Sequence, residues 1–287
     1  MAATKYYDDV DDFYAATRDL YESEPVRHTT VLSVIHALSG APQADAAAAP
    51  VLISLHGDEG TLRGAVLWTP PWPMALSGVR VADVPLLVKE LLSGHPELDS
   101  VMGPRDVADS FASAWSVATS RTIRPVLDLR LYRLADLVVP QVDGRARIAT
   151  VADIDLVAQH GLAFTLEANA HRASTLPEAV DFARRLLALG TGYMIWEVDG
   201  VPVSSAAAKV PNAGASRIGP VYTPPEHRRR GYGAAVTAAA ARWAAEAGAK
   251  EVLLYTDLAN PTSNAVYQRI GFRPVADYAE LAFDPRG

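Results

Sequence analysis

The chain contains no cysteine. That excludes disulfides, thiolate metal sites and a cysteine nucleophile. Long apolar runs are missing as well; none approaches the roughly 18 residues that a membrane span needs. Residues 1–12 are polar and acidic, with neither the basic start nor the apolar core of a secretory signal, so a cytoplasmic protein without a membrane partner is expected. Positive charge is scarce in the first half. Residues 1–140 carry 11 Lys and Arg against 18 Asp and Glu, whereas the remainder is balanced at 15 of each, and the whole chain stands at −7. This distribution argues against a broad nucleic-acid surface, which needs clustered positive charge. His28, His36, His56, His95, His160 and His171 show no close metal-ligand spacing, and no metal is expected. The Asp8, Asp9, Asp11, Asp12 cluster lacks the alternating ligands, central Gly and final Glu of a calcium loop, and fits the positive end of a helix better. No Gly-x-Ser-x-Gly elbow is present, which speaks against a serine hydrolase.

What is present suits a packed interior. The 287 residues are 49% hydrophobic and 21% charged, enough for two modest domains or one large one. Apolar residues at helical spacing run from Val10 to Leu38, divided at Pro25. A loop follows from Ala41 to Pro50. Then come a hairpin from Val51 to Trp68 around Gly57-Asp-Glu-Gly60, a strand over Leu76–Val81 and a helix from Asp83 (its N-cap) to Leu92. A strand over Leu98–Met102, a helix over Arg105–Thr119 and a strand over Val126–Leu134 complete this half. Pro140 and Gly144 mark a linker.

The pattern then restarts. Ala146–Ala149 reads as a strand, Asp153–Ala168 and Pro177–Leu189 as helices, and Gly192–Val210 as a hairpin on Asp199-Gly200. Arg217–Tyr222 is a strand, Gly231–Ala247 a long Ala-rich helix ended by Gly248, Glu251–Thr256 a strand, and Pro261–Ile270 a helix. Phe272–Phe283 supplies the last strand or two. Both halves share one element order, which points to a tandem repeat of one α/β unit, domains 1–140 and 141–287; a single domain with an N-terminal extension is the alternative.

The chemistry concentrates between the strand ending at Tyr222 and the long helix. Val221-Tyr-Thr-Pro-Pro-Glu-His-Arg-Arg-Arg-Gly-Tyr-Gly-Ala-Ala235 aims backbone N–H groups at one spot, at the positive end of a helix. Gly231 and Gly233 let a ligand approach the backbone, and Arg228, Arg229 and Arg230 add charge, so the segment is a candidate pyrophosphate cradle. Neither the Gly-Lys-Ser/Thr of a P-loop nor the third glycine of a dinucleotide fold is there. Further on, Asn260, Asn264 and Tyr267 are spaced by four and three and share a helix face. Asn260 can cap that helix, and Pro261 suits its first position.

Arg228-x-x-Gly231-x-Gly233 resembles the acyl-CoA pyrophosphate motif of the GNAT acyltransferases. The segment Asn260-Pro-Thr-Ser-Asn264-Ala-Val-Tyr267-Gln-Arg-Ile-Gly271-Phe272 resembles their second motif, at the usual separation. The resemblance covers about residues 146–287 and implies the acyl-CoA N-acyltransferase fold: a mixed, mostly antiparallel central sheet flanked by helices. It implies splayed central strands with pantetheine bonded to the backbone near Val221, Tyr222 and Thr223. Arg228 through Ala234, Tyr232 included, would hold the pyrophosphate, and Asn260 and Asn264 would touch the pantetheine arm. Tyr267 would protonate the departing thiolate. The implied reaction is N-acetylation of a small-molecule or peptide amine by acetyl-CoA through direct attack, without a covalent enzyme intermediate. A homodimer is left open, and the alternative of another class is a non-catalytic acyl-CoA-binding regulatory module. Members of this family often carry a Glu on the strand before the loop, where Arg217–Tyr222 has none. Glu167, Glu197 and Tyr222 are candidates for the base, Glu167 first. The N-terminal half carries no such motif and is expected to be a degenerate copy that shapes the acceptor site or packs against the active half.

Overall fold

The computed structural model describes residues 3–39, 49–168 and 175–284. The loop read over 41–50 lies almost wholly outside them, as does His171. Contacts group the chain into two units. The first comprises Met1–Leu131, Asp257–Ala259 and Val275–Gly287, the second Tyr132–Thr256 and Asn260–Pro274. The units are therefore not separated by a single cut: the last residues of the chain belong to the first unit.

In the first unit β1 (Ala3–Tyr7), β2 (Val51–His56) and β3 (Leu62–Trp68) pair antiparallel in that order, followed by the short β4 (Met74–Ala75). β4 runs parallel to β5 (Ser100–Pro104), and β5 pairs antiparallel with residues 278–282 of the final strand. Helices α1 (Val10–Ser23), α2 (Thr29–Ser39), α3 (Val84–Gly94) and α4 (Arg105–Thr119) complete it, and β6 (Ile123–Leu134) leads out. The core is Ile53, Leu55 and Val66 from the sheet, Leu87 and Leu91 from α3, and the stacked Phe111 and Trp115 from α4. Arg121 fastens the chain end here. It donates to the carbonyls of Leu98, Phe283 and Asp284 at 2.5, 2.5 and 2.7 Å.

Three differences from the expected elements appear here. A strand precedes the first helix, because Ala3–Tyr7 finds an open edge on β2. Leu76–Val81 is not a strand: Val79 N–H bonds back to the Leu76 carbonyl at 3.0 Å, closing a turn there. Asp83 stands at the N-cap of α3, but its carboxylate caps nothing. It is buried and paired with Arg63 (2.5 Å) and Arg80 (2.7 Å) instead. The last segment is one strand, β12 (Phe272–Phe283), within the one or two expected. The acidic cluster behaves as read: Asp9 caps α1, accepting from the N–H groups of Asp11 and Asp12. Among the described residues no group of side chains could hold a metal, and no helix is long and apolar enough to cross a membrane.

The second unit repeats the plan. β7 (Arg145–Ile148), β8 (Gly192–Val198), β9 (Val201–Ala208) and β10 (Ala215–Tyr222) pair antiparallel in succession, and β10 runs parallel to β11 (Glu251–Asp257). Asp199 and Gly200 both take positive φ at the β8–β9 hairpin, as a tight two-residue turn requires. α5 (Ile154–Glu167) and α6 (Leu176–Ala188) pack on Tyr193, Ile195 and Ala207. α7 (Tyr232–Glu246) packs its alanines on Ala206, Ala208, Ile218 and Leu254, and α8 (Pro261–Arg269) follows β11. Each unit is thus a mixed, mostly antiparallel sheet flanked by helices.

Candidate acyl-CoA site in the second unit

The parallel pairing of β10 with β11 covers only four residue pairs, from Ala215↔Glu251 to Ile218↔Leu254. Beyond Ile218 the strands part. On its other side β10 bulges: Ile218 faces Ala208 and Val221 faces Ala206, so three steps along β10 match two along β9. Val221 and Tyr222 keep their pairing to β9 and turn their other backbone edge to the opening. An extended ligand can be received there as an added strand.

Past Tyr222 the chain makes one 3₁₀ turn, and Arg228 follows in extended conformation. Arg229 has φ 62° and Gly231 has φ 85°, both left-handed. Gly231 is the N-cap of α7, and no side chain caps this helix. Its first helical bond from this end is Ala235 N–H to the Gly231 carbonyl. The N–H groups of Tyr232, Gly233 and Ala234 therefore point out of the helix at its positive end. A Cβ on Gly233 would stand 3.3 Å from Thr223 Oγ1, so the glycine keeps the turn compact. Arg229 and Arg230 are exposed and carry no ion pair among the described residues. The Tyr232 side chain is buried and anchors the helix, leaving only its backbone to the cradle. Uncapped N–H groups, tight glycines and two unpaired guanidinium groups fit a pyrophosphate.

Arg228 is engaged differently. Its Nε donates to the Thr223 carbonyl at 2.8 Å and its Nη2 to Glu167 Oε2 at 2.5 Å. The other Glu167 oxygen accepts from the Tyr222 hydroxyl at 3.1 Å. Burial, then this carboxylate, raises the Tyr222 phenol above its ordinary range. Behind Tyr222 lies a buried polar cluster that the sequence did not reveal. The His160 ring sits 5.2 Å from the Tyr222 ring, and His160 Nδ1 meets Ser205 Oγ at 2.8 Å. Burial holds His160 down to about 4, so its imidazole is neutral at physiological pH. Glu197 stands apart from this group. It accepts from Arg147 Nε at 2.6 Å, while Arg147 also holds Asp153 at 2.7 Å.

On α8 Asn260 caps the helix, accepting from Ser263 N–H at 3.0 Å. Asn264 donates Nδ2 to the Asn260 carbonyl at 2.8 Å and accepts from the Tyr132 hydroxyl at 2.8 Å. Tyr267 is half-buried with its ring edge-on to Phe272, and burial pushes its phenol up to about 12. Gly271 at φ 107° ends the helix tight against the Asp136 carbonyl.

In the first unit the matching strands β4 and β5 pair over Met74↔Val101 and Ala75↔Met102. After β4 pairs with β5, Leu76 N–H continues to the Met102 carbonyl at 2.8 Å, and a Cβ on Gly103 would lie 2.8 Å from Leu76 Cβ.

Residues 162–272 match the family described as the acetyltransferase (GNAT) family. No curated protein matches the chain. Among solved structures, a GCN5-related N-acetyltransferase from Kribbella flavida is 23% identical, with 91% of this chain and 96% of that one covered at a TM-score of 0.57. A tandem GNAT protein from the clavulanic acid biosynthesis pathway aligns over 100% of both chains at 14% identity and TM-score 0.61. A GCN5-related N-acetyltransferase from Sphaerobacter thermophilus covers 98% and 95% at 14% identity and TM-score 0.62. These likenesses establish the shared fold. Residues 162–272 are thus similar to the GNAT acetyltransferase domain.

Proposed function

We propose that the second unit transfers an acetyl group from acetyl-CoA to a primary amine of a small molecule or peptide. The observation that carries this reading is the uncapped N-terminus of α7, set directly after the point where β10 leaves β11. The N–H groups of residues 232–234, with Arg229 and Arg230, hold the pyrophosphate. The free backbone edge of Val221, Tyr222 and Thr223 takes the pantetheine, with Asn260 and Asn264 flanking it from α8. Acetyl-CoA supplies the acyl group as a thioester. The amine nitrogen bonds to the thioester carbonyl carbon as the carbon–sulfur bond breaks, and the nitrogen gives one proton to water, from which Tyr267 is reprotonated after each turnover. Tyr267, whose raised phenol stays protonated at neutral pH, gives its proton to the departing thiolate. The first unit, closed at Leu76 and Gly103, is a degenerate copy without an acyl-CoA site.

Titration calorimetry of the purified protein with acetyl-CoA tests this reading. Saturable binding by wild type, abolished by Gly231→Trp, is expected. Gly231 lies at a left-handed φ, and a Cβ there would meet Val142 Cγ1 at 2.8 Å, so the substitution both strains and blocks the turn. Absence of binding by wild type at high concentration would remove the reading.

A further inference from the structure

We propose that Glu167 is a positioning residue that sets the phosphate turn, and not the base that takes the amine's proton; this rests on the acyl-CoA reading above. Glu167 lies in the last turn of α5, seven residues after His160, so both face the same way along the helix. Each of its oxygens accepts a hydrogen bond from the turn: Oε1 from Tyr222 and Oε2 from Arg228. A base needs a lone pair directed at the acceptor's N–H, whereas these two bonds point the carboxylate at the cofactor turn.

The two donors bracket that turn. Tyr222 is the last residue of β10, fixed by its pairing with Ser205. Arg228 is the first residue of the glycine motif, with its guanidinium carbon 5.8 Å from the centre of the Tyr222 ring. Between them, among the described residues, the segment is held by His227 N–H to Pro224 O (2.9 Å), Arg228 N–H to Pro225 O (3.3 Å), Arg228 Nε to Thr223 O (2.8 Å) and the contact of Ser204 Oγ with Thr223 Oγ1 (2.8 Å). One carboxylate on α5 therefore ties both ends of the turn to a helix. It also fixes Arg228 without exhausting it. A guanidinium has five N–H donors, two are used, and three remain for a phosphate. A side chain already immobilised loses less freedom when the ligand binds, so the carboxylate raises affinity although it carries the ligand's own sign.

That opposing sign dictates the variant. Glu167→Gln would remove repulsion and positioning together. Glu167→Asp keeps the charge but, one methylene shorter, cannot reach both partners. Coenzyme A is titrated into the full-length protein for wild type, Glu167→Asp, Arg228→Ala and the double variant, with kcat measured at saturating acetyl-CoA. Glu167→Asp is expected to weaken CoA by about fivefold to tenfold, with kcat held within about threefold. In the Arg228→Ala background the same change should cost nothing further. Tyr222→Phe, which removes one hydroxyl, should weaken CoA by a smaller factor. Unchanged CoA affinity in Glu167→Asp with a collapsed kcat would overturn the proposal and restore Glu167 as base. A loss that persists undiminished without Arg228 would also overturn it. Failure of wild type to bind CoA would instead remove the acyl-CoA reading, and this inference with it.

Discussion

The Tyr132 hydroxyl donates to Asn264 Oδ1 at 2.8 Å and accepts from Gln268 Nε2 at 3.0 Å. Tyr132 is fully buried, so the phenol depends on these partners. The other end of the Asn264 amide is given to the Asn260 carbonyl. Asn264 is thus a strut between α8 and the core as well as a proposed pantetheine neighbour. Asn264→Ala is expected to lower stability by about 1–3 kcal/mol, because a buried hydroxyl loses its acceptor. Urea unfolding measures this. A midpoint equal to wild type, with weakened CoA binding alone, would mean that the amide serves only the ligand.

Closure of the first unit makes a prediction about stoichiometry. Leu76 stays bonded to the Met102 carbonyl beyond the β4–β5 pairing, and Asp83 is paired with Arg63 and Arg80 near the start of α3. Coenzyme A should therefore saturate at one molecule per chain, and Arg228→Glu should remove the entire signal. A second class of sites, or residual binding in that variant, would show that the first unit retains a functional cradle.

The second unit was legible in the sequence because its signals are local. Asp199-Gly200, Gly248 and the pair Asn260-Pro261 each force a backbone geometry by their own chemistry, and the structure has those geometries. The glycine and arginine spacing at 228–233 was legible for the same reason. Long-range partnerships were not. Nothing near Glu167 announces Arg228, 61 residues on, or Tyr222, 55 residues on. Nothing in residues 272–283 signals that this strand joins the first unit, since that depends on pairing with β5. Asp83 was misjudged because an acidic residue before a helix usually caps it. Here two arginines offered the carboxylate a stronger, buried partnership.

Tyr267 separates an enzyme from a module that only binds acyl-CoA. Its phenol, raised to about 12, remains protonated across the neutral range and can donate. The ring packs against Phe272, a contact that Phe in its place would keep. Tyr267→Phe should therefore reduce kcat by about 10²–10³-fold while CoA affinity stays within about twofold. Stopped-time assays of thiol release, paired with CoA calorimetry, provide the two numbers. An unchanged rate would remove the phenol from the mechanism.

Two buried histidines should each lose stability as pH falls below 6.5. His28 and His160 are 2% and 7% exposed, and burial lowers both from an ordinary 6.5 to about 4. A histidine held neutral in the folded state binds its proton later than in the unfolded chain. Its contribution is therefore complete above pH 6.5, falls as pH drops, and is gone once pH passes below about 4. Each could cost up to about 3 kcal/mol over that interval, a large share of a typical total of about 5–15 kcal/mol. Asp153 acts in a separate, lower window. Hydrogen bonds from Arg147 hold it at about 2, so its contribution is lost only as pH falls from about 4 through 2. Glu280, which burial pushes up to about 7, works in the opposite direction over this range, so the histidine contribution is read as the difference in urea-midpoint slope between wild type and variant from pH 7.5 to 4.5. In His160→Gln, whose amide can still meet Ser205, the slope should be shallower. Equal slopes in wild type and His160→Gln would show that the His160 imidazole is not held neutral by burial.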